Sequence, residues 1–406
     1  MLRLTLTACF VLVAGCSQAG AISAVPPAQQ NAAQGSGELA SASRYSQLYS
    51  FKGPTGAWPV APLTYFKGKF YGTASAYGAC NYGTVFSMTS LGRVHLLHTF
   101  CGKPNDSAYP EGGLAVMDRT LYGTTYYGGE YDAGTVFSIT PAGVEQVIHS
   151  FGASNDGSHP ASSLLPIGGV LYGTTQEGGR HNKGTVFAIS PSGDERVLHA
   201  FKGAPLDGGH PSAGLIAVKN WFYGTTLAGG QVKAGGTVYR INALGQEKVL
   251  HAFDVRAGDG EGPGGALLYY GGALFGTTQL GGTRHLGTAF EMSTRGQEIV
   301  LHSFGKGLDG AFPNRGVIAV DGMLYGTTLG GGYSNRRYCS GPPMSSCGTI
   351  YRIDQLGRER VIYRFMGYPD GSSPYAALTN ANGVLYGTTY SGGSSTYDGT
   401  IFRLLP

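Results

Sequence analysis

Charge is scarce in this chain. Only 13% of its 406 residues are Asp, Glu, Lys or Arg, about half the roughly 25% of an average soluble domain. The net charge is +4 and no basic run occurs, so no nucleic-acid partner is expected. No stretch sustains a 3.6-residue apolar period with caps, so no helices are placed. The N-terminal apolar run from Leu4 to Val13 is too short to span a bilayer. Catalytic strings are missing as well: there is no Gly-x-Ser-x-Gly elbow and no His-Glu-x-x-His. Cysteine is sparse, and neither Cys-x-x-Cys spacing nor a nearby His marks a zinc site. No metal and no cofactor are expected.

What is abundant is Gly, 69 residues, and Tyr, 26 residues. Both belong to a repeat. Tyr/Phe-Gly-Thr recurs at Tyr71, Tyr122, Tyr172, Tyr223, Phe275, Tyr325 and Tyr386. The period is about 50 residues, with a longer sixth step. Within the second repeat, short segments at 114–117, 121–126, 135–139 and 146–151 are rich in β-branched and aromatic residues. Gly, Pro or Asp bounds each, so they read as four antiparallel strands. Seven such units predict an all-β fold, a seven-bladed β-propeller of four-stranded antiparallel blades. A solenoid would need distinct capping repeats. Here residues 46–51 match a fourth strand and 399–404 match a third, so the N-terminal strand is expected to complete the last blade. That arrangement closes the ring and hides a sheet edge.

The remaining N-terminal residues divide in two. Residues 1–16 read as a lipoprotein-type signal peptide, with Arg3, the apolar run, and Val13-Ala14-Gly15-Cys16 as a lipobox. Cys16 is then the acylated anchor, and Ser17 after it favours the outer membrane. An ordinary signal cleaved after Ala19 or Ala24, with a secreted product, is the alternative. Residues 17–44 lack large apolar side chains and read as a flexible tether. The propeller occupies 45–406, and membrane contact is expected through the lipid alone.

Recurring polar residues have structural readings first. Asp106, Asp156, Asp207, Asp259, Asp309 and Asp370 stand four before Pro and are expected to bond nearby backbone amides in a turn. His98, His149, His199, His251 and His302 all stand two before the last Phe of the fourth strand. Five copies argue for hydrogen-bonding wall residues over catalysis. The Gly of Tyr-Gly-Thr sits inside a strand, and is expected where another backbone comes close, as between blades. Of six cysteines, Cys9 leaves with the signal. Cys80 and Cys101 flank one hairpin, and Cys339 and Cys347 bracket an insertion, so two local disulfides are expected in an exported chain.

The string Leu-Tyr-Gly-Thr-Thr…Gly-Gly…Gly-Thr-Val-Phe-x-Ile-x-Pro, preceded by Asp-Gly-x-x-Pro, resembles the GloVer (Gloeo/Verruco) tandem repeat of exported, anchored bacterial proteins. The likeness covers about residues 45–406. It implies export, anchoring and tandem repeats, and brings no activity with it. The double glycine is kelch-like by analogy only.

Three functions compete: a non-catalytic binding or scaffolding propeller on the envelope, an exported hydrolase or lyase acting on polysaccharide or peptide at the channel mouth, and a structural subunit. The first is the expectation. Its ligand would be an acidic glycan or a protein, bound by a monomer. The fourth-to-first and second-to-third connections vary most, so their shared face should carry function. Residues just after Asp-Gly-x-x-Pro should reach the mouth: Val60, Glu111, Ala161, Ser162, Ser212, Gly264, Asn314, Arg315 and Tyr375. Only Glu111 and Arg315 among them are charged, which argues against a two-carboxylate glycosidase. Arg336, Arg337 and Tyr338 of the insertion join Glu111, Arg315 and Tyr375 as candidate ligand-binding residues. Arg180-His181 and Arg284-His285 are weaker candidates, read as solvated charge. Exposed tyrosines of the second-to-third connections (Tyr77, Tyr82, Tyr126, Tyr127, Tyr131, Tyr333, Tyr338, Tyr390, Tyr397) suit a recognition surface.

Overall fold

The second strand of each repeat carries apolar, aromatic and Thr side chains on both faces, and the fold buries both. The computed structural model describes residues 44–102, 106–205, 207–231, 235–254, 256, 258–332, 339, 346–393 and 398–406. The expected signal, Cys16 and nearly all of the tether fall outside them. In the second blade the strands are Ala115–Met117, Thr120–Thr125, Thr135–Ile139 and Glu145–Ser150, hydrogen-bonded in sequence order. Seven antiparallel four-stranded sheets of this kind form a seven-bladed β-propeller. The single helical element among the described residues is a three-residue 3-10 turn, Gly53–Thr55.

The core lies between blades rather than inside any one of them. Ala115, Met117, Tyr122, Val136 and Phe151 of the second blade pack against Leu164, Leu171, Phe187 and Ile189 of the third. Each fully buried aromatic or aliphatic side chain contributes about 1.5–3 kcal/mol by leaving water. No blade can bury both its faces alone, so the repeat is stable only as a ring.

The ring closes as expected. Tyr45–Ser50 pairs antiparallel with Thr400–Leu404, with Tyr45 opposite Leu404 and Ser50 opposite Thr400. Tyr45 also stacks on Tyr363 of the preceding blade, ring centroids 3.9 Å apart.

The expectation for the strand glycine needs correction. A Cβ on Gly123 would lie 2.5 Å from the ring of Phe137, with Leu114 also close. The space is taken by an aromatic side chain of the same blade's third strand, not by a neighbouring backbone. The aromatic ring at the Phe137 position is fully buried, and glycine opposite makes room for it.

Every outer strand pair carries one register shift, such as that between Val136 and Phe137. The extra residue there is Ile148, whose carbonyl meets the turn glycine of the next blade, Gly193. A Cβ on Gly193 would fall 2.7 Å from that oxygen, and its φ is +95°. A bulge in one blade thus seats the hairpin turn of the next. Both expected disulfides are present, Cys80–Cys101 and Cys339–Cys347.

Candidate functional site

The connections that face the mouth are tied together by their backbones. Ser107–Ala108, from the fourth-to-first connection, pairs with Tyr127–Gly128, from the second-to-third connection. Equivalent two-residue ribbons recur in five further blades. The residue immediately before each Pro then turns left-handed. Trp58, Tyr109, His159, His210, Phe312 and Ser373 have φ between 53° and 59°, and Gly262 has 64°. For a non-glycine this costs roughly 1–2 kcal/mol. Two hydrogen bonds hold it. Tyr109 N–H donates to the Tyr82 carbonyl of the preceding blade at 2.8 Å, and Tyr126 N–H donates to the Tyr109 carbonyl at 2.9 Å. The side chains at this position therefore form a rim on the mouth.

Inside the rim is a central cavity of about 260 Å³. Val60, Glu111, Ala161, Ser162, Ser212 and Arg315 line it, with several glycines between them. Its serines are engaged within the protein. Ser162 shares a hydrogen bond with Thr174 at 3.0 Å, Ser163 accepts one from Gly113 N–H at 3.0 Å, and Ser212 donates to the Gly264 carbonyl at 3.5 Å. Glu111 and Arg315 are the charged side chains of the cavity among the described residues. Burial pushes the Glu111 carboxyl up, and the Arg315 guanidinium pulls it partly back. Arg315 lies over the Tyr375 ring at 4.7 Å, and its Nε is buried without a hydrogen-bond partner, as is Nδ2 of Asn314.

A second cleft, of about 450 Å³, adjoins the first and shares Val60 and Glu111 with it. Trp58, Tyr109, Tyr126, Tyr127, Tyr375 and Tyr390 form its walls. Trp58 stacks on Tyr390 with centroids 5.5 Å apart, and Tyr126 meets Tyr127 edge-on at 4.9 Å. Burial, then the negative charges of Glu177 and Glu111, push the Tyr126 phenol up to about 12.

The structure thus brings Glu111, Arg315 and Tyr375 to one place. Arg336, Arg337 and Tyr338 lie outside the described residues, as do Tyr333 and Tyr397. Arg180, His181, Arg284 and His285 are all exposed. Trp58 and Tyr109 escape a reading that looks after the proline. The available signal was a Trp and a Tyr at one repeat position, the residue before Pro.

The recurring Asp and His behave as turn and wall residues. Asp207 accepts from the Gly208 and Lys202 amides at 2.7 and 2.9 Å, and His199 Nε2 lies 3.2 Å from its Oδ2. Glu247 of the next blade joins this pair. Ligand atoms of the three lie within 4.8 Å of one another, and four other seams repeat the group. Sequence spacing hid this His–Asp–Glu gathering, because its Glu comes from a different repeat.

Solved structures resemble the ring in fold. A protein of Bacteroides uniformis provisionally named a 6-phosphogluconolactonase matches with a TM-score of 0.50 and 13% identity, over 81% of this chain and 89% of its own. A puromycin hydrolase matches with a TM-score of 0.51 and 12% identity, over 84% of this chain and 52% of its own. A gluconolactonase of Xanthomonas campestris matches at 15% identity with a TM-score of 0.40, over 71% of this chain and 82% of its own. The first two likenesses accord with the propeller fold. The expectation of a non-catalytic binding or scaffolding propeller is to be corrected to this extent: the two neighbours with TM-scores of 0.50 and 0.51 carry the names of hydrolytic proteins, as the channel-mouth alternative has it. No curated protein matches the sequence. The profile of the Gloeobacter/Verrucomicrobia repeat, however, matches residues 28–175 and 167–341, and the chain belongs to that repeat family.

Proposed function

We propose that the protein is a hydrolase whose reacting centre is the channel mouth, between Glu111 and Arg315. The observation that carries this is the pairing, in one cavity, of a carboxyl pushed up by burial with a guanidinium whose buried Nε is unpartnered. A carboxylate raised toward neutrality is a stronger general base. A cation held in a recessed site stabilises charge developing on oxygen. One carboxylate and one cation suit carboxylic ester or lactone hydrolysis better than glycoside hydrolysis, which takes two carboxyls.

The step balances without a further reactant. Glu111 takes a proton from water as the water oxygen bonds to the acyl carbon. The carbonyl electron pair moves to the oxygen facing Arg315. Collapse breaks the acyl C–O bond, and the leaving alkoxide takes the proton back from Glu111. We place this chemistry at the cell envelope, with the ring tethered through Cys16; the Val13-Ala14-Gly15-Cys16 string supports that.

The test uses aldonolactones, after the lactonase-named neighbour, and aryl esters as general ester probes. Glu111→Gln is expected to lower kcat by about 10²–10⁴-fold, and Arg315→Ala by about 10²–10³-fold. Parental rates in a folded Glu111→Gln protein would remove the reading.

A further inference from the structure

We infer that the aromatic cleft beside the mouth is a glycan-chain subsite, binding a short acidic oligosaccharide whose charged ring reaches Arg315. The inference deepens the hydrolase reading and rests on it for the reacting end of the ligand.

Four observations point there. First, the cleft and the central cavity share Val60 and Glu111, so one ligand can occupy both. Second, the six aromatic walls come from two neighbouring blade tops on one side and the last blade on the other, and all are partly exposed. Trp58 and Tyr109 are presented from left-handed backbone, a conformation maintained against strain. Third, Tyr375 belongs to the cleft and carries the Arg315 guanidinium on its face at 4.7 Å. The aromatic surface therefore runs without a break to the cation. Fourth, the cleft offers little to a peptide. The main chain of its walls is already paired: Ala108 with Tyr127, Tyr109 N–H with the Tyr82 carbonyl, and the Tyr109 carbonyl with Tyr126 N–H. A peptide added as a strand relies on free main-chain partners along an edge.

A pyranose uses different contacts. Its C–H face packs on an aromatic ring, and its hydroxyls bond to phenol groups at the ring's polar tip. A uronate carboxylate, which is what hydrolysis of a uronate ester leaves at the mouth, finds a planar guanidinium with an unpartnered donor. The cleft, about 450 Å³, lies within the size range of small-ligand sites, and the central cavity adds about 260 Å³ beside it. Together they suit an oligosaccharide better than one sugar.

The chain contains two tryptophans. Trp221 begins the second strand of its blade and packs under Arg240, so Trp221→Phe leaves Trp58 as the only indole, in the cleft. Fluorescence titration of that protein should use mono-, di- and trigalacturonate, cellotriose and trialanine. Affinity is expected to rise from mono- to trigalacturonate, with cellotriose weaker and trialanine silent. Tyr109→Ala should weaken trigalacturonate about tenfold and galacturonate little. If that variant does not fold, Tyr127→Ala, at an exposed ring, serves the same purpose. Equal affinity for one and three sugars, or trialanine binding as tightly as the trisaccharide, would overturn the subsite. Chain-length-dependent binding by a protein that hydrolyses no ester supports the subsite and sinks only the hydrolase reading. Lactone hydrolysis without chain-length dependence sinks only the subsite.

Discussion

His251 Nε2 lies 2.8 Å from Asp259 Oδ2, and the same contact joins His149 to Asp156, His199 to Asp207 and His302 to Asp309 at 2.9–3.2 Å. His98 and Asp106 stand further apart, at 3.8 Å. Each pair faces a glutamate that opens the outer strand of the next blade. The remaining two seams change all or nearly all of this unit together. Where Asp is replaced by Thr55, the His position holds Tyr49, which donates to it at 2.9 Å, and the Glu position holds Val94. In the closing seam Tyr363 donates to Asp370 at 2.9 Å, and Tyr45 stands where the others have Glu. The His and Glu positions, one repeat apart in sequence, change together in both seams, because they meet only across a blade boundary.

The glutamates set a pH dependence of stability. Glu145, Glu195, Glu247, Glu298 and Glu359 are each pushed up to about 7. Burial is the largest cause, the nearby Asp raises them further, and the His opposes. Arg196 also opposes at Glu195, as does Arg364 at Glu359. The folded value lies above the unfolded value of about 4.3. Their contribution is therefore complete below about pH 4.3 and is lost as pH rises through 7. Asp106 and Asp207 act oppositely. Burial works against them, but backbone amides, joined by a His199 hydrogen bond at Asp207 and by nearby His98 at Asp106, win and hold them low, so their contribution is lost in acid. Calorimetry at constant ionic strength should show the highest Tm near the unfolded glutamate value of about 4.3 and a decline from there to about pH 7. Changing all five Glu to Gln should flatten that decline. A Tm that stays level or rises between about pH 5 and pH 7 would contradict the assignment.

The substituted seams predict which replacements a seam tolerates. His302→Ala removes the side-chain partner of Asp309 Oδ2 and leaves the longer bond from Gly305 N–H at 3.3 Å. It should cost about 1 kcal/mol or somewhat more. His302→Tyr should cost clearly less, since Tyr363 makes the equivalent bond in the closing seam. Urea unfolding of the two variants measures the difference. Equal losses would show that the seam depends on imidazole and not on a donor to the aspartate.

The repeat made the architecture legible because seven copies of one strand pattern leave few alternatives. Closure was legible from the split repeat, a fourth strand at residues 46–51 and a third at 399–404. Local disulfides followed from two pairs of close cysteines. The functional surface was legible only in part. Position after the proline brought Glu111 and Arg315 to the mouth, since the channel wall is built from a repeat position. Trp58 and Tyr109 depend on a left-handed turn that no local residue preference announces, least of all before proline. The phenylalanine opposite the strand glycine was also out of reach, because cross-strand neighbours depend on register.

Closure by the N-terminal strand should dominate the response to truncation. Tyr45–Ser50 supplies the outer strand of the last blade, along Thr400–Leu404. Phe51, fully buried, extends the seal with a bond from its N–H to the Gly399 carbonyl at 3.0 Å. Tyr45 adds a stacked ring on Tyr363, and Leu48 and Tyr49 pack on the cluster around Phe70, Phe86 and Ile401. Deleting 45–52 removes these contacts and leaves the Thr400–Leu404 edge unpaired, open to association with another chain. Deleting 20–40 removes none of them. The first truncation should lower Tm by roughly 10 °C or more and promote aggregation, and the second should leave both unchanged. Scanning calorimetry and light scattering on the two proteins decide the matter. If both melt and scatter like the parent, the N-terminal strand adds little to the ring, and the last blade must hold with three strands.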